Sequence, residues 1–458
     1  MTTTIRHTLL LCAAAVILAG CSIYRPYTRP EVSTDGLYGS DVAVSDTASI
    51  ASMRWTELFT DPMLQALIRE GLAGNTDLSI ARLRVEEAEA TLFSSRLAYL
   101  PSLSLTPQGG ISSYDGAKTA KTYTLAAAAE WETDIFGKLT NAKRQAAAAL
   151  EGSRAYSRAV QTQLIATIAN SYYNLLMLDR QLDISRRTAV SWTEVVRTYE
   201  AKMKVGEATN AAVSQAKASK LSVEASVLTL QKQIRAQENS LSILLGSSPR
   251  RIERSTLSVQ RFPEHLSVGI PLQLLERRPD VRQAEQSLAE AFYATNAARS
   301  AFYPNLRLSG SAGWTNNAGA AITNPGGWLL NAIASLTQPL FNRGQNIANL
   351  RAAQARQQEA RLKFRQSLLK AGSEVNDALM QWQTADKRLT VAEQQIEALR
   401  TAVNSTRQLM EHSNSSTYLE VLTAQQALLQ AELTEANDMF DKIQGVINLY
   451  HALGGGTE

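Results

Sequence analysis

Four segments of the chain alternate apolar and polar residues with a period of two, and each is about as long as a strand needs to cross a bilayer. In the first, Leu103, Leu105, Pro107, Gly109 and Ile111 share one face, and Ser102, Ser104, Thr106, Gln108, Gly110 and Ser112 the other. After a polar tip, Ser113 to Lys121, residues Tyr123, Leu125, Ala127, Ala129 and Trp131 alternate with Thr122, Thr124, Ala126, Ala128, Glu130 and Glu132. The third segment sets Leu306, Leu308, Gly310, Ala312 and Trp314 against Asn305, Arg307, Ser309, Ser311 and Gly313. The fourth, Gly327 to Thr337, alternates less cleanly. Two strand hairpins are predicted. Trp131, Trp314 and Trp328 fall near strand ends, where interfacial aromatics belong. A soluble hairpin packed on helices would carry the same alternation. If the strands span a membrane, four of them cannot close a barrel, because a sheet edge in hydrocarbon leaves backbone groups unpaired. A spanning chain of this kind must oligomerise.

The rest of the chain is dominated by helical heptads. Leu368, Val375, Trp382, Leu389, Ile396 and Val403 recur every seven residues, with Ala371, Ala378, Ala385, Ala392 and Leu399 between them. These are the a and d positions of a supercoiled seam. Alanine at d buries little area but lets a partner backbone come close, which suits a wall of several helices. One long helix in an ordinary bundle carries the same pattern. Ile168, Leu175, Leu182, Ala189, Val196 and Met203 repeat the spacing, with Leu178, Trp192 and Tyr199 at d. From Lys138 to about Tyr199 there is no proline, and about sixty residues at 1.5 Å rise make a rod of about 90 Å. A break at Val205-Gly206-Glu207-Ala208-Thr209-Asn210 turns the chain, and a return helix runs through Val213, Leu221, Leu228 and Leu241 to Gly246. Later, Gly344 to about Glu411 goes out, Asn414 to Tyr418 turns, and Leu419 to Leu453 returns.

The landmarks pair up. Leu100-Pro101-Ser102-Leu103 answers Tyr303-Pro304-Asn305-Leu306; Asp134-Ile135-Phe136-Gly137 answers Pro339-Leu340-Phe341-Asn342; Leu244-Leu245-Gly246 answers Ala452-Leu453-Gly454. The offset is about 205 residues each time, so one long unit is used twice. The predicted fold class is mainly α with a β-sheet component, built by internal duplication. The predicted segments are 1–20, a signal; 21–61, a tether and part of a belt; 62–248, the first repeat, with strands at about 101–132 and helices at about 138–246; 249–279, a linker and the rest of the belt; and 280–458, the second repeat, with strands at about 304–338 and helices at about 344–453. Pro249, Pro263, Pro271 and Pro279 mark the linker. Asp61-Pro62 opens a helix, with Asp61 as N-cap, and its patterning runs through Leu83, Ala90 and Leu97 to a stop at Pro101. Trp55 and Phe59 are expected to pack on the body. Pro279-Asp280 starts another helix, with Asp280 at its positive end.

The first segment reads as an export signal. Arg6 and His7 precede an apolar run, Leu9 to Ala19, and then Leu18-Ala19-Gly20-Cys21. That ending is similar to a bacterial lipobox, in which the cysteine takes a diacylglyceryl group and becomes the N-terminus; a plain signal peptide with a chance cysteine is the alternative. Ser22, rather than Asp, follows Cys21, which by resemblance to such lipoproteins implies sorting to the outer membrane. Loss of the segment removes Arg6 and lowers the formal charge from +4 to +3. So small and dispersed a charge argues against nucleic acid as a partner. The two cysteines, Cys12 and Cys21, both lie in this stretch, so there is no disulfide framework.

No enzyme is expected. There is no phosphate-binding Gly-x-x-x-x-Gly-Lys loop and no Gly-x-Ser-x-Gly elbow, and His7, His265, His412 and His451 have no metal-ligand spacing. No cofactor is expected either. Arg277, Arg278 and Asp280 are charged neighbours without a catalytic pattern.

Several stretches together resemble the TolC-like outer-membrane efflux proteins, in particular the lipoprotein branch serving resistance-nodulation-division pumps. They are Leu18 to Cys21 followed by Tyr27-Thr28-Arg29-Pro30; Trp131 to Gly137; Leu274-Leu275-Glu276-Arg277-Arg278-Pro279-Asp280; Gln338 to Gly344; Tyr418-Leu419-Glu420-Val421-Leu422; and Leu449 to Gly456. The resemblance covers nearly the whole chain in family order. It implies a homotrimer in which each chain gives four strands to a twelve-stranded barrel in outer-membrane lipid, with the helices forming a coiled-coil tunnel in the periplasm. It implies a periplasmic adaptor and an inner-membrane pump as partners. It also makes the turns at Val205, Gly206, Asn414 and Ser415 the tips that meet the adaptor. Members often carry Gly and an acidic residue before the Tyr-Leu motif; here Asn414, Ser415, Ser416 and Thr417 stand there instead. Lys204, Glu207, Glu411 and Glu420 are the charged candidates for the aperture. A passive exit duct follows from this reading. A lipid-anchored periplasmic coiled-coil adaptor without a pore is the alternative, and it leaves the alternating strands unexplained.

Overall fold

The computed structural model describes residues 24–31, 36–39, 49–113, 115–116, 119–263, 266, 268–269, 271–316, 327–412 and 418–457. Cys21, Asn414 and Ser415 lie outside the described residues, as does the side chain of Glu411. The elements in chain order are α1 (Pro62–Gly74), α2 (Thr76–Leu97), β1 (Ser102–Ser112), β2 (Ala120–Glu132), α3 (Lys138–Lys204), α4 (Asn210–Leu244), α5 (Pro279–Ser300), β3 (Asn305–Thr315), β4 (Gly327–Thr337), α6 (Gln345–His412) and α7 (Tyr418–Ala452).

The duplication is visible in element lengths. Helices α2 and α5 both have 22 residues. Strands β1 and β3 both have 11. Helices α3 and α6 have 67 and 68, and α4 and α7 both have 35. The internal repeat extends through strands and helices alike.

One compact unit holds the described residues of 1–32, 83–154 and 283–365. Its four strands form one antiparallel sheet in the order β1-β2-β3-β4, so the two hairpins meet along β2 and β3. An extended strap, residues 24–31, is docked along α5 in the same unit. The Arg29 guanidinium donates to both oxygens of Glu285 at 2.7 and 2.8 Å. Tyr27 stands edge-on to Phe292, with ring centroids 5.8 Å apart. Tyr24 packs over Gly137, where a Cβ would lie 3.4 Å from its ring. Asp134 caps α3 from the strand side, accepting from the N–H of Leu139 at 2.7 Å and of Thr140 at 2.8 Å.

The second unit holds the described residues of 33–82, 155–282 and 366–458. Most of the heptad positions are buried in it: Leu368, Ala371, Val375, Ala378, Ala385, Ala392 and Ile396 on α6, and Ile168, Leu175, Leu178, Leu182, Trp192, Val196 and Tyr199 on α3; Trp382, Leu389, Leu399, Val403 and Ala189 are half-buried, and Met203, at the end of α3, is exposed. Gly445 explains how closely α7 approaches α6, because a Cβ there would lie 2.8 Å from the backbone N of Trp382. A further cluster joins three helices through Trp192, Val195 and Tyr199 of α3, Ala212 and Val213 of α4, and Val421 and Leu422 of α7. Trp55 and Phe59 are buried as the sequence suggests, and Phe59 meets Tyr450 edge-on.

The sequence predicts one helix from Pro62 to Leu97; the structure breaks it at Asn75, which is extended at ψ 128. The reason lies far along the chain. The Asn75 side chain donates to the Leu244 carbonyl at 2.9 Å and accepts from the Leu78 N–H at 2.9 Å, so it ties α1 to the end of α4 and caps α2. Close approach requires glycine on both sides here. A Cβ on Gly74 would meet the Leu245 carbonyl oxygen at 2.6 Å, and one on Gly246 would overlap the Gly74 carbonyl. Gly246 also has φ +72, the left-handed cap geometry glycine accepts most readily.

Candidate functional site: the sheet, the helical turn and the belt

Residues directly opposite in an antiparallel pair lie on the same face, so the pairing assigns every strand residue to a side. Leu103 opposes Ala129, Leu105 opposes Ala127, and Pro107 opposes Leu125. Leu125 opposes Trp314, Ala127 opposes Ala312, and Trp131 opposes Leu308. Trp314 opposes Trp328, Ala312 opposes Leu330, and Leu306 opposes Leu336. One face is thus apolar across all four strands. It is uncovered: Leu103 is 80% exposed and Leu330 85%. Trp131 lies at the end of that face where the chain leaves for α3, and its indole N–H donates to the Tyr99 carbonyl at 2.9 Å. Trp314 and Trp328 sit together at the other end, 5.0 Å apart. Aromatics therefore bracket an apolar band.

The opposite face carries Ser104, Thr106, Gln108, Thr124, Glu130, Ser309, Ser311, Asn331 and Ser335, interrupted by Leu329 and Ile333 on β4. That interruption is the uneven alternation of the fourth segment. Where β2 and β3 meet the helices, Arg307 bridges Glu130 at 2.8 Å and Glu132 at 3.7 Å, and Lys138 bridges Glu132 at 2.7 Å. A cleft of about 460 Å³ opens there, lined by Glu132, Phe136, Lys138, Tyr303, Arg307 and Asn346 among others. Phe136 stacks on Tyr303 at its edge, with centroids 5.1 Å apart.

The first helical turn is fully outward. Gly206, at φ +81, ends α3: its N–H donates to the Met203 carbonyl at 3.1 Å, and that of Glu207 to the Lys202 carbonyl at 2.8 Å. Thr209 caps α4 by accepting from the Ala212 N–H at 3.2 Å. Lys204, Val205, Gly206 and Glu207 are exposed, and the Glu207 carboxylate lies 4.0 Å from Lys202. Tyr418, Leu419 and Glu420 are exposed at the start of α7, while Val421 and Leu422 are buried against α3 and α4. The Tyr-Leu motif thus presents its first three residues outward and anchors itself with the last two.

The belt segments meet as well, through an antiparallel bridge between Ser49 and Val268. Asp61 does more than cap α1. It is buried and accepts from Tyr172 at 2.6 Å and Gln260 at 3.0 Å, from Ser255, and from the Met63 N–H at 2.9 Å. Burial pushes its carboxyl up, but the hydrogen bonds from Ser255, Tyr172, Met63 and Gln260 together outweigh it and hold the pKa below the ordinary 3.8. Burial and the bond to Asp61 push the Tyr172 phenol up to about 12. Arg254 joins Glu238 of α4 at 2.7 Å to Asp179 of α3 at 2.5 Å.

Arg278 and Asp280 form a structural lock. Arg278 is buried and pairs with Asp280 at 2.6 Å, Glu374 of α6 at 2.6 Å and the Ala452 carbonyl at 3.1 Å. Gly454, at φ +85, lies so close that a Cβ would meet the Arg277 carbonyl at 2.7 Å. Two of the stretches that carry the family resemblance are therefore in contact. Neighbouring His451 is held below its ordinary pKa of 6.5, first by burial and then by the Arg278 charge. From sequence Asp61 reads only as an N-cap, and Tyr172, Arg254 and Gly445 do not stand out; of these three, only Gly445, small and inside a heptad helix, carries a local signal of its role.

Among the described residues no three of His, Cys, Asp and Glu are placed to hold a metal ion. Among the same residues no helix is long and apolar enough to cross a membrane. An exposed apolar strand face bracketed by tryptophan, in a chain that also holds helices of 67 and 35 residues, defines a class of outer-membrane protein built from both. The chain belongs to the outer membrane efflux protein family, whose model matches residues 67–247 and 270–455. It is similar to the cation efflux system protein CusC of Escherichia coli strain K12, 29% identical over 96% of this chain and 98% of that protein. It is also similar to a probable outer membrane lipoprotein, SilC, of Salmonella typhimurium, 29% identical over 98% of each. Among solved structures, the open state of the Neisseria gonorrhoeae MtrE outer membrane channel matches with a TM-score of 0.83 and 27% identity, over 96% of this chain and 99% of that one.

Proposed function

We propose that three copies of this chain close a twelve-stranded barrel in the outer membrane and form a passive exit duct that an adaptor and an inner-membrane pump open from the periplasm. One observation carries the reading: among the described residues, a four-stranded sheet has an uncovered apolar face and two unpaired edges, β1 and β4. In lipid the face is satisfied and the edges are not. Further copies of the same sheet satisfy the edges. The polar face, with Ser104, Thr106, Gln108, Ser309 and Ser311, then lines a wet lumen. No nucleotide loop is present in the sequence, so the driving energy comes from the partner pump.

Cys21 is the proposed lipid anchor. The strap supports this, because Tyr24 is docked at Gly137, beside the strand-to-helix junction, and three residues reach about 10 Å at most. The exposed turn at Val205, Gly206 and Glu207 and the exposed Tyr418, Leu419 and Glu420 are the proposed adaptor-contact tips, with Asn414 and Ser415 between α6 and α7. Lys204, Glu207, Glu411 and Glu420 are the proposed aperture charges. CusC is named for cations; the likeness supports a shared channel role and assigns no cargo here.

Replacing Cys21 by Ser, with export and cleavage kept through an ordinary signal site, tests duct against adaptor. A duct stays in outer membranes after alkaline washing because the barrel holds it; release into the soluble periplasm would establish the adaptor. Glu→Ala changes at Glu207, Glu411 and Glu420 should alter entry of a large antibiotic such as vancomycin. Unchanged entry in all three would remove them from the aperture.

A further inference from the structure

Arg277 and Arg278 are adjacent cations, and the fold treats them oppositely. Arg278 is neutralised by Asp280 and Glu374, both at 2.6 Å. Arg277 has no ion pair among the described residues, and its Nη1 is buried without a hydrogen-bond partner. A guanidinium nitrogen taken out of water with nothing to donate to is costly, and an anion would relieve it. The Tyr38 hydroxyl is in the same condition. Tyr38 is 2% exposed, its oxygen has no partner, and the charges of Arg277 and Arg278 act on it. Burial outweighs those charges and pushes the phenol up to about 12, so it remains an O–H donor.

Arg277 also lines a cavity of about 210 Å³, large enough for an oxyanion and a few waters. Ser52 and Arg54 line it too and are exposed, so it opens to solvent on their side; Trp55, Tyr450 and Gly454 are its buried lining. Two cations line this cavity, and no Asp or Glu does among the described residues. The nearby Glu57 carboxylate accepts from the Arg54 backbone N–H at 3.1 Å, and the Arg54 side chain has no ion pair among the described residues. A third cation stands close by: the Arg69 guanidinium lies 5.9 Å from the Trp55 ring and donates to the neutral Gln65 amide at 2.9 Å. The cleft at the helical end of the sheet differs, because there Lys138 and Arg307 are matched by Glu132.

We propose that this cavity binds a small oxyanion, a carboxylate or a phosphate group, between Arg277 and Arg54, with the Tyr38 hydroxyl as a further donor beside Arg277. The planar fork of a guanidinium matches both groups in shape and charge. A bound anion would tie the belt segment at Arg54 to the linker at Arg277. It would do so whether or not the chain forms a duct.

Isothermal titration calorimetry of the full-length lipoprotein in mild detergent at low salt tests the site with two probes, succinate and inorganic phosphate. Binding of either supports it; succinate alone marks an organic acid as the source, and phosphate alone a phosphate. Arg277→Gln should weaken binding about tenfold or more, and Arg54→Gln about threefold or more. Arg251→Gln, which removes an exposed arginine that does not line the cavity, should bind as the parent does. A thermal melt shows first that each variant is folded; Arg54 is exposed, so Arg54→Gln decides the matter even where Arg277→Gln does not fold. Three results would overturn the proposal: neither probe binding the parent at about 10 mM, binding undiminished in the folded arginine variants, or an equal loss with Arg251→Gln.

Discussion

Leu103 and Leu330 on the sheet are 80% and 85% exposed, whereas Leu175 on α3 and Leu368 on α6 are 0% and 1% exposed. The composition is alike and the outcome opposite. Along the helices, apolar residues repeat with the heptad, so other helices of the same chain cover them. On the strands they repeat with period two, and among the described residues no second layer lies over the face. Burying one leucine side chain is worth about 1.5–3 kcal/mol. A face of this width is stable only where its surroundings are apolar. The helical unit carries its own core, and the sheet borrows one from lipid and from its neighbours.

Charges on the apolar face should break this contrast with the largest effect. Leu105→Arg with Leu330→Arg should cost about 2–4 kcal/mol each near mid-bilayer and abolish recovery of assembled protein in alkali-washed membranes. Ser309→Arg, on the polar face, should leave recovery nearly unchanged. In the helical unit, Trp192→Ala removes the largest member of the α3–α4–α7 cluster and should destabilise by about 3–5 kcal/mol, read as a lowered unfolding midpoint with the sheet still inserted.

Asp61→Ala should cost about 3 kcal/mol, because Tyr172, Ser255 and Gln260 lose a buried acceptor together. Its pH dependence has a definite sign. The folded pKa lies below 3.8, so the contribution is complete above about pH 4 and lost as pH falls through the lower folded value. Asp61→Asn should flatten the acid limb of the stability curve.

The smallest effect concerns His451, which faces Arg278, Glu374 and Asp280. Its folded pKa lies below 6.5, so the unfolded chain binds the proton first, and stability falls as pH drops from about 7 toward 5. Asn or Gln at 451 should remove that slope while leaving the pH 7 midpoint within about 1 kcal/mol of the parent.

Much of this contrast is legible in the sequence, since both periods are local. The two strand hairpins, the heptad positions Leu368 to Val403 and the turn at Gly206 follow from spacing and from glycine's freedom at positive φ. What is not legible depends on partners far along the chain. Asn75 breaks a well-patterned helix because Leu244 and Leu245 arrive beside it. Asp61 reads as a simple cap until Tyr172, Ser255 and Gln260 converge on it. Arg278 reads as surface charge until Glu374 and the Ala452 carbonyl close over it. The proposed aperture charges are the least legible, because Lys204, Glu207 and Glu420 look like any solvated charges at a turn, and in the structure they are exposed.

The central claim is that this sheet is finished only by copies of itself. Native mass spectrometry of the lipoprotein released from mild detergent tests it most directly. The account predicts an assembly of three chains that survives until the barrel is denatured; a stable, folded single chain under the same conditions would contradict it.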